Sequence, residues 1–150
     1  GNCLGETTSA SLEYAVHHLH VKVLLVMGHE GCGAIKAAGL PLEKIQQESE
    51  NLSRVLQTLK SGLQEDHMNH ILDARARDRE RVALNVRNQV VTLCEDEKVL
   101  SKVNSGELII VGGFYEISSG IVDFFMQVSQ HSRTEEFMPS PGVQSRYNPE

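Results

Sequence analysis

Two short runs constrain the fold of this chain more than anything else in it. Val21-Lys22-Val23-Leu24-Leu25-Val26-Met27 is almost continuously aliphatic and ends at Gly28. Glu107-Leu108-Ile109-Ile110-Val111-Gly112-Gly113-Phe114-Tyr115 repeats the signal some eighty residues later. A strand that is apolar on both faces suits a parallel sheet covered on both sides. Everything between the runs reads as helix, so the two strands are expected to be parallel, joined by a helical crossover, in an α/β fold.

Two strands alone do not make a stable parallel sheet. Each would leave one row of backbone N–H and C=O groups unpaired beside apolar side chains. Further strands upstream of Gly1, or a partner chain, are therefore expected.

The helices follow from 3.6-residue periodicity. Thr7, Thr8 and Ser9 are N-cap types, and Leu12, Ala15, Val16 and Leu19 then share a face. Ile35 to Ala38 reads as a short helix stopped by Gly39 and Pro41. Leu42 to Leu63 reads as one helix with Leu52, Val55, Leu56, Leu59 and Leu63 on a stripe. Arg75 to Cys94 is a long helix with Val82, Val86, Val90 and Leu93 inward, and a shorter one spans Asp96 to Val103 before an Asn104-Ser105-Gly106 turn. After a tight turn at Ser118-Ser119-Gly120, a last helix is expected through Val122, Phe125 and Met126. Periodicity ends at Ser129, so residues 1–128 are read as the folded domain and 129–150 as an irregular tail.

The chain has 150 residues, enough for one domain with a core, and no apolar run of the roughly 20 residues that a membrane helix needs. Its net charge is −6. The arginines at 75, 77, 79, 81 and 87 alternate with Asp73, Asp78 and Glu80, which reads as a salt-bridged helix face and not a nucleic-acid surface. Three cysteines, Cys3, Cys32 and Cys94, are too few and too widely spaced for a disulfide framework. With no visible signal peptide, an intracellular, soluble protein of the cytoplasm or an organelle matrix is expected. The missing initiator Met suggests a processed or trimmed chain.

The chemistry concentrates in Gly28-His29-Glu30-Gly31-Cys32-Gly33-Ala34. This loop leaves the carboxyl end of a buried strand, where open α/β sheets bind ligands. Imidazole and thiolate are both good Zn²⁺ ligands, and a His-x-x-Cys turn can aim both at one point. A helix N-terminus after Cys32 would favour its thiolate. Gly28, Gly31 and Gly33 would relieve crowding in such a turn. Two ligands do not make a zinc site, and a turn-capping His29 beside a small buried Cys32 remains an alternative. A dinucleotide loop is a poorer match, because the order is G-x-x-G-x-G.

Ser9-Ala10-Ser11-Leu12-Glu13-Tyr14-Ala15-Val16, followed by Val26-Met27-Gly28-His29-Glu30-Gly31-Cys32-Gly33-Ala34, closely resembles the beta-class carbonic anhydrases. Asn85-Val86 with Gln89-Val90, and Leu108 through Gly120, match that family's later helix, last parallel strand and turn. The resemblance implies a beta-carbonic-anhydrase-like parallel sheet flanked by helices. It also implies a Zn²⁺ enzyme that interconverts CO₂ and bicarbonate, working as a homodimer or higher oligomer. It makes His29 and Cys32 zinc ligands, and Gly33 the candidate on the substrate side. The family's Cys-x-Asp-x-Arg motif, which supplies a further Cys ligand and an Asp–Arg pair, is absent here. The catalytic pair is thus missing from this sequence, and the first strands with it. The expectation is a carbonic anhydrase given as a trimmed chain; the alternative is a degenerate, non-catalytic scaffold or interaction subunit. Cys3 is a possible substitute ligand. His67 and His70 read as a solvated face, His17, His18 and His20 as a helix end, Cys94 as core, and Tyr115 as a strand-end packing residue.

Overall fold

The computed structural model describes residues 1–63 and 68–131. Six helices and three strands follow in the order α1 (Glu6–His17), β1 (Val23–His29), α2 (Gly33–Ala38), α3 (Leu42–Ile45), α4 (Glu50–Ser61), α5 (Ala74–Glu95), α6 (Glu97–Asn104), β2 (Ile109–Glu116) and β3 (Ile121–Val128). The two runs that dominate the sequence are β1 and β2, and they pair in parallel from Val23↔Ile109 to His29↔Tyr115. All of α2 to α6 lies in the crossover between them.

Helix α5 is the backbone of the core. Asp73 caps it, accepting from the Ala76 N–H at 2.7 Å. Its buried stripe, Val82, Val86, Val90, Leu93 and Cys94, is the expected one. It crosses β1 where Gly28 has no side chain: a Cβ there would lie 2.3 Å from Val82 Cγ1. The arginine face is paired, with Arg79 to Asp123 at 2.6 Å and Arg81 to Asp78 at 3.3 Å. Arg79 also lies over the Phe114 ring, 4.2 Å from its centre.

The structure corrects three expectations. The helix expected through Val122, Phe125 and Met126 is strand β3, antiparallel to β2. Gly120, at φ +75°, closes the preceding turn, its N–H donating to Glu116 O at 2.8 Å. The register then slips between Gly112 and Gly113, whose partners are Met126 and Phe124, so Phe125 is the extra residue of a bulge. That bulge turns the consecutive Phe125 and Met126 both inward. Two successive buried residues break strand alternation and imitate a helical stripe.

The single helix expected over Leu42 to Leu63 is two. α3 ends at Ile45, and α4 restarts after Ser49. The polar stretch Gln46-Gln47-Glu48-Ser49 between them carries nothing to bury. In α4 the inward stripe is Ser53, Leu56 and Leu59, while Leu52 and Val55 are exposed.

Strand β1 is covered on one face only among the described residues. Leu24 and Val26 are buried, whereas Val23, Leu25 and Met27 are 54, 49 and 38% exposed. β3 pairs the outer side of β2, and β1 remains an edge of the three-stranded sheet. No helix among the described residues is long and apolar enough to cross a membrane. Most of the expected tail, residues 132–150, lies outside the described residues, as does His67.

Candidate functional site

His29 is the last residue of β1, opposite Tyr115 at the carboxyl end of the parallel pair. Glu30 continues the pairing for one more bond, its N–H donating to Tyr115 O at 2.8 Å. Gly31 then takes φ +69°, a conformation that glycine adopts without the strain a Cβ would bring. This reversal brings Cys32 to the N-cap of α2, where it is 3% exposed. One short loop thus carries an exposed imidazole and a buried thiol. Of the other two glycines, Gly28 makes room for α5, whereas a Cβ at Gly33 would meet nothing within 4 Å.

The ring of His29 has a defined partner. Its Nδ1 lies 3.1 Å from the Glu30 carbonyl oxygen. A carbonyl only accepts, so this contact is a hydrogen bond when Nδ1 carries a proton, the tautomer that leaves the Nε2 lone pair available.

Burial pushes the Cys32 thiol up, while the backbone N–H groups of Ile35 and Ala34 at the start of α2 oppose it. The Gly1 nitrogen lies 2.9 Å from Sγ. The segment carrying Gly1 is tied down by α5. Asn85 Nδ2 donates to Asn2 O at 3.0 Å, and the Leu4 N–H donates to Gln89 Oε1 at 2.8 Å.

Glu30 is the most connected side chain of the loop. Oε2 accepts from the Ser118 N–H at 2.9 Å and Oε1 from Arg75 Nη2 at 2.6 Å. The same Arg75 nitrogen reaches Ser118 Oγ at 3.0 Å, with Glu116 3.8 Å away. The Ser118 bonds, then Arg75, hold the Glu30 carboxyl below the usual carboxylate range. Beside it opens a cleft of about 700 Å³, lined by Lys36, Asp78, Phe114 and Asp123 among others; neither His29 nor Cys32 lines it.

The remaining sequence candidates stay apart from this loop's donors. Cys3 is half-buried, its Sγ directed at Leu4 O. His18 stacks on Tyr14, and His17 Nε2 is buried without a hydrogen-bond partner. Cys94 sits in the core, where burial pushes its thiol up. His70 is exposed. Among the described residues, no three His, Cys, Asp or Glu side chains gather as a metal cage. His29 and Cys32 have the donor chemistry zinc requires, but they supply only part of a set of three or four. The Glu30–Arg75–Ser118 network escaped the sequence reading, since no periodicity links residues 45 and 88 positions from Glu30.

A β strand ending in a Gly-His-x-x-Cys loop at the N-terminus of a short helix, with α5 packed behind, defines an α/β protein that carries an imidazole and a thiol on one loop. A family model described as carbonic anhydrase matches residues 1–122. The chain is 32% identical over 133 residues to the carbonic anhydrase of Synechococcus elongatus, covering 82% of this chain and 44% of that one. It superposes on a tetrameric beta-carbonic anhydrase of Sordaria macrospora with a TM-score of 0.70 at 26% identity, covering 79% of this chain and 59% of that one. Against the Coccomyxa beta-carbonic anhydrase in complex with acetazolamide the TM-score is 0.69 at 26% identity, with 81 and 55% coverage. The chain belongs to the beta-class carbonic anhydrase family. It spans about half the length of the curated relatives it matches.

Proposed function

We propose that the protein carrying this chain is a zinc-dependent carbonic anhydrase that reversibly hydrates CO₂ to bicarbonate, and that His29 and Cys32 are two of its zinc ligands. The observation that supports this best is the pairing on one loop of an imidazole whose Nδ1 faces the Glu30 carbonyl, which leaves Nε2 available, with a thiol at the N-cap of α2. Imidazole and thiolate are donor types that zinc prefers. Bound zinc would supply the acidity that makes hydroxide from water near neutral pH. The chain's own part is to hold the two donors at the carboxyl end of the sheet, with Gly33 open beside them. The further Cys ligand and the Asp–Arg pair that the resemblance implies have no counterpart in this sequence.

The protein is further proposed to be a homodimer or higher oligomer. The exposed Val23, Leu25 and Met27 on the open side of β1 support this, as does the edge beside them. An intracellular compartment fits the three free cysteines. The folded domain is taken as 1–128, with a tail beyond.

A second reading is a non-catalytic scaffold that retains the fold. It is favoured by the lack of a three-donor cluster among the described residues. CO₂ hydration followed by stopped flow on the complete gene product, together with its zinc content, separates the two. Zinc near one per chain with hydration lost in Cys32→Ser supports the enzyme; a zinc-free, inactive complete protein supports the scaffold.

A further inference from the structure

We infer that Glu30 is a positioning residue for His29. Its carboxylate clamps the loop so that its own carbonyl sets the imidazole tautomer and leaves Nε2 available. The inference rests on the reading of His29 as a ligand, but its geometry stands independently.

Glu30 lies between the two candidate ligands and is held at three points on other elements. Its N–H is bonded to Tyr115 O of β2 at 2.8 Å. Its two carboxylate oxygens are bonded to the Ser118 N–H of the β2–β3 turn at 2.9 Å and to Arg75 of α5 at 2.6 Å. Arg75 closes a ring by donating to Ser118 Oγ at 3.0 Å. The next residue, Gly31, has φ +69° and nothing packed against the position of its missing Cβ. Such a residue does little to fix the peptide before it, so the orientation of the Glu30 carbonyl depends on the anchored side of that peptide. His29 Nδ1 lies 3.1 Å from that carbonyl oxygen.

The chain of consequence is short. With the carboxylate in place, the 30–31 peptide is fixed and its oxygen faces Nδ1. Without it, only the Tyr115 bond holds Glu30, and the carbonyl is free to turn to water. The imidazole then loses the acceptor that selects its tautomer. Groups that orient a ligating imidazole in this way typically change metal affinity 10–100-fold when removed.

The test is ¹⁵N NMR of the imidazole in the complete protein dialysed free of metal, at about pH 8 where an ordinary imidazole is neutral. The wild type is expected to show His29 protonated on Nδ1, by about fivefold or more, the bias an ordinary hydrogen bond supplies. Glu30→Ala is expected to collapse this to a solvent-averaged mixture. Glu30→Gln, which retains an acceptor for the Ser118 N–H, is expected to restore much of it. Should Glu30→Ala fail to fold by circular dichroism, Arg75→Ala, which removes the partner of Oε1, is the readout; it is expected to weaken the bias, and an unchanged bias there overturns the inference. An unchanged Nδ1–H tautomer in the folded Glu30→Ala protein, or a solvent-averaged mixture already present in the wild type, overturns the inference. Zinc retention is measured alongside. A lost tautomer with zinc binding intact in both Glu30→Ala and His29→Ala would remove His29 as a ligand while leaving the clamp established.

Discussion

Gly28→Ala offers the sharpest check on how α5 positions the candidate site. The new Cβ would lie 2.3 Å from Val82 Cγ1 and 3.1 Å from Val86 Cγ2, about 1 Å short of ordinary contact at the first. Both valines are buried and stiff at χ1, and the Val82 carbonyl oxygen also lies 3.6 Å from the new Cβ, so the clash is not relieved by a side-chain swing. The helix or the strand must move. Overpacking of this kind costs about 3 kcal/mol, the upper end of its usual range. Removing a glycine from a strand returns roughly 0.5–1 kcal/mol. The net loss is about 2 kcal/mol, which for a chain of this length lowers Tm by about 4–8 °C. Val82→Ala opens the space at a cavity cost of its own, about 1–2 kcal/mol. In the double variant the two losses should fail to add by about 1 kcal/mol or more. Thermal unfolding followed by circular dichroism reads all three. A Gly28→Ala protein that melts with the wild type, or a double variant whose losses simply add, would refute the close approach of β1 and α5.

Three further outcomes follow from other contacts. Gln89→Ala removes the acceptor of the Leu4 N–H, so hydrogen exchange at that amide should speed up about tenfold, with the α5 amides unchanged. Gly120→Ala should cost about 1–2 kcal/mol through φ +75° alone, since open space surrounds the position, and Gly120→Asn should cost less; chemical denaturation measures both. Burial raises the Cys94 thiol pKa, so the pH midpoint of its alkylation should lie above that of a free thiol. By linkage, the stability this gives Cys94 is complete below the ordinary thiol pKa. It is lost as pH rises through the folded value, and an acid-shifted alkylation profile would contradict the burial.

The parts of this molecule that the sequence reveals are those governed by a single local period. Val82, Val86, Val90 and Leu93 repeat at helical spacing and form the buried face of α5. The runs ending at Met27 and Tyr115 were legible as strands because β-branched and aliphatic residues crowd them. β3 was not, because the bulge at Phe125 places two buried residues in succession and conceals strand alternation. The exposure of Val23, Leu25 and Met27 was equally illegible, since hydrophobicity records what a face could bury and not what covers it. At the site, His29 and Cys32 stood out by residue type and spacing. Glu30 did not, because its partners Arg75 and Ser118 lie 45 and 88 residues away and meet it only after the sheet has formed.

The central claim is that one loop supplies an imidazole and a thiolate to zinc. The most direct measurement is zinc stoichiometry and affinity, by chelator competition on the complete protein, in the wild type, His29→Ala and Cys32→Ser. One zinc per chain is expected in the wild type, with affinity falling by more than about a hundredfold in each variant, beyond the roughly 10–100-fold that loss of an outer contact costs. Wild-type zinc content and affinity in a folded Cys32→Ser protein would contradict the claim.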